Sequence, residues 1–235
     1  MRRILITNDD GIRAAGIIRL ALAAQAFGEI TVIAPKTQCS ALSHSITINR
    51  PVDFVPYAFP VPGVTAWTCS GTPSDCVRAA LAYLLPEIPD LVLSGINNGC
   101  NSASDIQYSA TVGAALEAAH EGIPAIAVSE PYGADPSVAD SRLPGVLSAL
   151  VDRSPGKDAI FNVNFPLGTC QGILTDRFVS AGSLYKGRYR LTEGQPENGL
   201  RLITDDVPGD ICEEGSDLKA ILDGFISIGV VRNIG

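Results

Sequence analysis

Short aliphatic runs alternating with alanine-rich stretches at helical spacing constrain the fold of this chain more than any other feature. Ile4-Leu5-Ile6-Thr7, Ile30 to Ala34, Leu91 to Ser94, Ile126 to Ser129 and Ile160 to Asn164 have strand length and are apolar at consecutive positions. Such runs mark strands covered on both faces, as in a parallel sheet flanked by helices. Ile17, Leu20, Ala24 and Phe27 fall at helical spacing, which predicts a core-facing helix from Ile12 to Phe27 closed by Gly28. Thr72-Pro73-Ser74-Asp75 supplies an N-cap, a proline at the first helical position and an acidic first turn for a helix through Leu85. Further helices are expected from Ser109 to His120 and from Val138 to Val151, the latter kinked or broken at Pro144. The alternation predicts an α/β fold, a Rossmann-like and mostly parallel sheet with flanking helices.

The 235 residues and 46% hydrophobic content support one sizeable core and leave no room for two full domains. Residues 1–166 are expected to form the Rossmann-like catalytic core. From Lys36 to Gly71 the periodicity fails, and the segment reads as a long functional loop with short strands at most. Beyond Pro166 the chain turns to Gly-rich turns and strand-like pieces, Leu200 to Thr204 and Phe225 to Val231. Residues 167–235 therefore read as a C-terminal arm with a β-hairpin rather than an independent domain, suited to oligomerisation or to packing on the core.

No run approaches the roughly 18 apolar residues of a membrane span, and Met1-Arg2-Arg3 leads straight into a strand, so a soluble cytoplasmic protein is expected. The six cysteines lack paired spacing and, with two histidines, make no zinc motif. They read as reduced thiols, mostly small buried hydrophobes, although Cys39 and Cys100 flank the residues favoured below. A net charge of -8 argues against nucleic-acid polymers as partners. It leaves small phosphate ligands open, because a bound divalent ion can reverse the local sign.

Polar clusters follow several predicted strands: Asn8-Asp9-Asp10-Gly11, Ser40 to Thr47, Ser94 to Gly99, and Tyr108 to Thr111. In an open α/β sheet these converge on the crevice at the carboxyl ends of the strands. Adjacent carboxylates disfavour each other's charge unless a cation lies between them, and oxygen donors suit Mg²⁺ or Mn²⁺. The candidate metal set is Asp9, Asp10, Ser40 and Asn97, with water and a phosphate completing the shell of one divalent ion. The acidic pair alone also suits helix capping. Ser109 and Thr111 open a helix whose free N–H groups and dipole would hold phosphate, and ordinary capping explains Ser109 but not Thr111.

These motifs carry a resemblance. Ile6-Thr7-Asn8-Asp9-Asp10-Gly11, Ser43-His44-Ser45-Ile46-Thr47, Gly71 to Val77, Ser94-Gly95-Ile96-Asn97 and Tyr108 to Val112 resemble the SurE family of 5'-nucleotidases, the stationary-phase survival proteins. The likeness extends to Gly215-Ser216-Asp217 and Gly224 to Ile228, and is weakest between Asp135 and Asp210. It implies a divalent-metal phosphatase acting on nucleoside 5'-monophosphates, with a Rossmann-like core and an arm used in homodimers or homotetramers. It maps the metal ligands onto Asp9, Asp10, Ser40 and Asn97, the phosphate-holding hydroxyls onto Ser109 and Thr111, and a substrate-side amide onto Asn101. Ala110 and Ala41 stand where the family often has glycine, and their methyl groups are expected to slow turnover without abolishing metal binding.

The expected chemistry is in-line attack of water on phosphorus, with Asp9 orienting or deprotonating the water and Asp10 chiefly a ligand. His44 is a candidate for protonating the leaving group, against the alternative of a hydrogen-bonded structural role. His120 suits a favourable charge at a helix C-terminus. Rival readings are a nucleotide-sensing protein without turnover, and a main activity on polyphosphate or 3'-nucleotides. An aspartyl-phosphate enzyme would need a second acid two positions after the first, which Gly11 does not supply. Neither a P-loop nor a G-x-G-x-x-G turn is present.

Overall fold

The computed structural model describes residues 1–183, 188–194, 196–205 and 212–233. Its frame is a nine-stranded sheet in the order β3-β4-β2-β1-β5-β6-β7-β11-β8. The strands are β1 (Arg3–Thr7), β2 (Glu29–Pro35), β3 (Phe54–Pro56), β4 (Thr65–Cys69), β5 (Leu91–Asn98), β6 (Ala125–Glu130), β7 (Ala159–Asn164), β8 (Gly172–Arg177) and β11 (Phe225–Arg232). A second sheet is the antiparallel pair β9 (Arg188–Leu191) and β10 (Leu202–Asp205). From β4 across to β7 every pairing is parallel. Ile4, Leu5 and Ile6 are at most 2% exposed, the two-sided burial that their unbroken apolar run demands.

Helices cover both faces. On one, α1 (Ala15–Ala24) and α4 (Ser137–Leu150) pack through Ile17, Leu20, Leu143 and Leu147 against Ile4, Ile6 and Leu93. On the other, α2 (Pro73–Ala79) and α3 (Ala110–His120) bury Cys76, Val77, Val112 and Ala115 against Leu5, Val92 and Ala127. A short α5 (Asp217–Leu222) precedes β11. The chain leaves β1 for β2 and β4, then crosses back to β5 on the other side of β1. That reversal opens a crevice between the carboxyl ends of β1 and β5, where α/β proteins bind ligands.

Several boundaries differ from the sequence expectation for identifiable reasons. The first helix begins at Ala15, because Ile12 donates its N–H to Pro35 and Ala14 donates to Gly11 in a turn. The stretch from Lys36 to Gly71, expected as a loop with short strands at most, contains β3 and β4, the latter in Thr-Ala-Trp-Thr-Cys, where polar residues interrupt the apolar run. The second helix changes at Ala80 to a π turn ending at Leu84. Gly95 to Asn98, also expected as loop, continue β5, with a register shift against β6 between Ser94 and Asn97 and a cis peptide at Gly95–Ile96. Gly95 has φ +139, and a Cβ there would lie 2.2 Å from the Val128 carbonyl oxygen. Helix α4 runs unbroken through Pro144, held by the buried stripe Leu143, Val146, Leu147 and Leu150.

The C-terminal region also departs from the expected arm. Residues 225–232 insert as β11 antiparallel to β7, and residues 172–177 pair with β11 as β8, so both extend the main sheet. The Ile226 and Ile228 side chains reach the principal core, which the apolar alternation of Phe225 to Val231 makes possible. The hairpin β9–β10 is the part that stands apart from the main sheet; other portions of the expected arm, residues 184–187, 195, 206–211 and 234–235, lie outside the described residues.

Candidate functional site

Four loops meet at the β1–β5 crevice. In the first, Asn8 closes a turn on itself: its side chain donates to the Gly11 carbonyl at 3.0 Å and accepts the Gly11 N–H at 3.2 Å. This turn presents Asp9 inward, 3% exposed, and leaves Asp10 half-buried. The loop after β2 is clipped alongside, because the Cys39 N–H donates to the Asp9 carbonyl at 2.7 Å. Gln38 then bridges two candidate ligands: its amide donates to Ser40 Oγ at 2.9 Å and lies 3.4 Å from Asp10 Oδ1. At the end of β5, the Asn98 N–H donates to Asp10 Oδ2 at 2.9 Å, and the Asn97 amide donates to the Gly99 carbonyl at 2.8 Å. Its nitrogen so committed, Asn97 keeps its amide oxygen as the available donor to an ion.

The fourth element is the start of α3. Ser109 is the N-cap, its Oγ accepting the Val112 N–H at 3.1 Å, which leaves the hydroxyl hydrogen for a ligand. Thr111 is fully buried and donates to Asp9 Oδ1 at 2.5 Å. Burial is the largest influence on Asp9, and repulsion from Asp10 adds to it against the Thr111 bond, so its pKa is pushed up to about 6. Neither aspartate has an ion-pair partner among the described residues. Sustained burial of a carboxylate without a counter-charge is costly, and a divalent ion held by Asp9 and Asp10 would offset that cost.

The donors are oxygens from two carboxylates, an amide and a hydroxyl, a set for a hard cation with open positions for water and phosphate. Among the described residues no group of three or more His, Cys, Asp or Glu could hold a metal, so Ser40 and Asn97 are needed to complete the proposed set. Ala41, next to Ser40, has φ +60, the left-handed conformation that favours the glycine frequent in the family.

Other expected residues have other partners. His44 Nε2 lies 2.7 Å from Glu117 Oε2, whose second oxygen accepts from Arg78 at 3.0 Å. The Asn101 side chain donates to Ser129 Oγ at 2.8 Å, while its backbone is held by Asn164 and Asn162, so Asn101 braces the loop after β5. Burial first, then Glu130 and Asp217, pushes the Cys100 thiol up to about 12, and burial likewise raises Cys39, which removes both as thiolate nucleophiles.

Sequence reasoning missed Asn8, Gln38, Asn98, Asp75 and Glu117 as organisers of the site. Asp75 was read as a helix-start charge, yet beyond its capping box with Thr72 it accepts the Thr47 N–H at 2.9 Å and hydroxyl at 2.6 Å, fixing the end of the Ser40–Thr47 loop. Burial opposes its charge, but the Thr47 and Thr72 bonds prevail and hold its pKa below the usual range. Where that loop crosses α3, a Cβ at Gly113 would lie 2.5 Å from the Ser43 carbonyl oxygen. Glu117 carried a readable signal, an acid within the alanine stripe of α3; Gln38 carried none.

The family model described as "Survival protein SurE" matches residues 4–183. Among curated relatives, the "5'-nucleotidase SurE" of Pelotomaculum thermopropionicum is 38% identical over 234 residues, covering 98% of this chain and 89% of the relative. The "5'-nucleotidase SurE" of Synechococcus elongatus is 52% identical over 130 residues, 54% of this chain and 50% of that protein. The crystal structure of the SurE protein from Aquifex aeolicus superimposes with a TM-score of 0.80 at 30% identity, covering 98% of this chain and 93% of that one. With a family model matched over residues 4–183, and a relative and a solved structure each matched along nearly the full length, this chain belongs to the SurE family.

Proposed function

We propose that this protein is a divalent-metal-dependent phosphatase that hydrolyses nucleoside 5'-monophosphates to nucleoside and phosphate. One observation carries the reading: Asp9, buried and with no ion-pair partner among the described residues, sits beside Asp10 at the switch point of the sheet, with a helix N-terminus aimed at the same place. The names of the full-length relatives supply the substrate class. Asp9, Asp10, Ser40 and Asn97 would hold one ion, Mg²⁺ or Mn²⁺. When bound, that ion supplies Lewis acidity toward a phosphoryl oxygen and lowers the pKa of water.

The chain's own residues do the rest. Thr111 fixes one oxygen of Asp9, so the other is oriented to accept a proton from the attacking water. Ser109 and the N–H groups opening α3 face the phosphoryl oxygens, where charge grows in the transition state. Gln38 and the Asn98 N–H hold Asp10 and Ser40 in place before substrate arrives.

The remaining assignments belong to the same proposal. Residues 1–166 with β8 and β11 form the catalytic unit, and the β9–β10 hairpin serves homo-oligomerisation. Tyr189, Leu191, Leu202 and Ile203 are exposed on that hairpin, which alone is too small to be stable. Six unpaired cysteines suit the reducing cytoplasm. Among the described residues no helix is long and apolar enough to cross a membrane.

The test strips the protein with a chelator, restores Mg²⁺ or Mn²⁺ separately, and follows phosphate release from a panel of nucleotides. Release is expected to vanish on stripping and to return with one ion, fastest for 5'-monophosphates. Unchanged hydrolysis by stripped protein overturns the metal assignment. Binding without release identifies a nucleotide sensor instead.

A further inference from the structure

Arg19 is a mostly buried cation with no part in the chemistry above. It lies on α1, one turn beyond Gly16, where the helix presses so closely on β5 that a Cβ at Gly16 would lie 2.1 Å from the Ile96 carbonyl oxygen. Its side chain is 16% exposed and makes four hydrogen bonds. Nη1 and Nη2 donate to the two Glu130 oxygens at 2.5 and 3.0 Å, Nε donates to Asp140 Oδ1 at 2.6 Å, and Nη2 also donates to the Pro136 carbonyl at 3.1 Å. A planar guanidinium holds several acceptors in one fixed geometry, which a point charge does not.

What this fork holds is a turn. Glu130 ends β6 and Pro136 is the N-cap of α4, so Arg19 clasps both ends of residues 130–136 onto α1. The turn in its own right bonds the end of β5 twice. The Gly133 N–H donates to Asn98 Oδ1 at 3.1 Å, and the Glu130 carbonyl accepts the Gly99 N–H at 2.8 Å. Those two residues fix the candidate ligands: the Asn98 N–H holds Asp10, and the Gly99 carbonyl holds the Asn97 amide. Holding is needed here, because the register of β5 against β6 shifts between Ser94 and Asn97 and the earlier part of the ladder does not carry through to residues 97–99.

Resting on the metal-dependent reading above, we propose that Arg19 is a positioning residue for the divalent ion. Through residues 130–136 it sets Asn97 and Asp10 for that ion, and it touches neither ion nor substrate. The sign of its effect separates this role from plain electrostatics. Arg19 and Asp10 line the same cavity, so by charge alone removing the guanidinium would strengthen cation binding. Loss of position weakens it.

The test measures Mn²⁺ binding to the stripped full chain by calorimetry. Arg19→Gln is expected to weaken Mn²⁺ about tenfold, the size typical of groups that orient metal ligands. Glu130→Gln should weaken it by a similar factor, and the double variant by no more than either single change, because the pair acts as one unit. Unchanged or tighter binding in Arg19→Gln, or fully additive single effects, overturns the proposal. A second readout needs no metal: amide hydrogen exchange at Asn98 and Gly99 should quicken in both single variants while exchange in β1 stays at the native rate. Quickening by the same factor in β1 would make Arg19 a general stabiliser and overturn its positioning role. If the native chain binds no Mn²⁺, the metal-dependent reading fails, and the exchange measurement still decides whether Arg19 sets the end of β5.

Discussion

Helix α3 meets two buried carboxylates and treats them in opposite ways. Asp9 touches its first turn through Thr111 and is 3% exposed; Glu117 lies on its last turn and is 4% exposed. Burial disfavours charge on both. At Glu117 the His44 bond, then the His44 and Arg78 charges, overcome burial and hold the carboxyl below its usual range. At Asp9 only Thr111 and backbone N–H groups oppose burial, Asp10 adds repulsion, and the pKa rises to about 6. Depth in the protein therefore does not decide the state of a buried acid. What sets Asp9 apart is a charge left without its counter-charge, an arrangement that the proposed catalytic role accounts for.

The strongest way to break this contrast is Asp9→Asn. The amide still accepts from Thr111, so the fold survives, while loss of a ligand and proton acceptor should lower turnover by about three orders of magnitude. The metal-free protein gives the opposite response. A carboxyl whose pKa is 3.8 unfolded and about 6 folded loses stability as pH rises through that interval, up to about 3 kcal/mol at neutral pH. Metal-free Asp9→Asn should thus be more stable than the native protein at pH 7 and equal to it near pH 4, by urea titration. A less stable variant at pH 7 would mean that Asp9 is an ordinary structural acid.

Glu117→Gln sharpens the contrast from the other side. Removing the charge that His44 and Arg78 share should cost about 2 kcal/mol at pH 7, the worth of hydrogen bonds to a charged group. Because the folded pKa is depressed, this stability is present above the unfolded value and lost as pH falls through the folded one, so the gap to native should close in acid. Denaturant midpoints at pH 7 and pH 4 check it. The two variants should move stability in opposite directions at neutral pH.

The same contrast explains what the sequence could show. The central strands and the N-caps Thr72 and Ser109 were legible because burial on both faces and unsatisfied helix N–H groups leave local patterns. Strand β4 was not, since its polar residues are compatible with a sheet only through the pairing with β2. That Asp9, Asp10 and Ser40 gather beside the end of β5 was legible from strand-end logic. The pairing of His44 with Glu117, 73 positions apart, was not, because nothing local in a polar loop specifies which helix it will cross. Asn101 likewise reads as a polar loop residue until the sheet brings Ser129 and Asn164 beneath it.

Thr111→Val is the smallest and most diagnostic change. Valine keeps the shape, so a site that merely needs packing at this fully buried position should tolerate it. The lost donor, however, is one of the few groups favouring the charged form of Asp9, and its removal leaves that carboxylate both less ionised and free to rotate. At about 2 kcal/mol for a bond to a charged group, turnover should fall about thirtyfold. The acid limb of the rate profile should also move to higher pH, because Asp9 then holds its proton more tightly. A fall in rate with no movement of that limb would place Thr111 on the phosphate rather than on Asp9, and the two ends of α3 would differ in less than their treatment of buried charge.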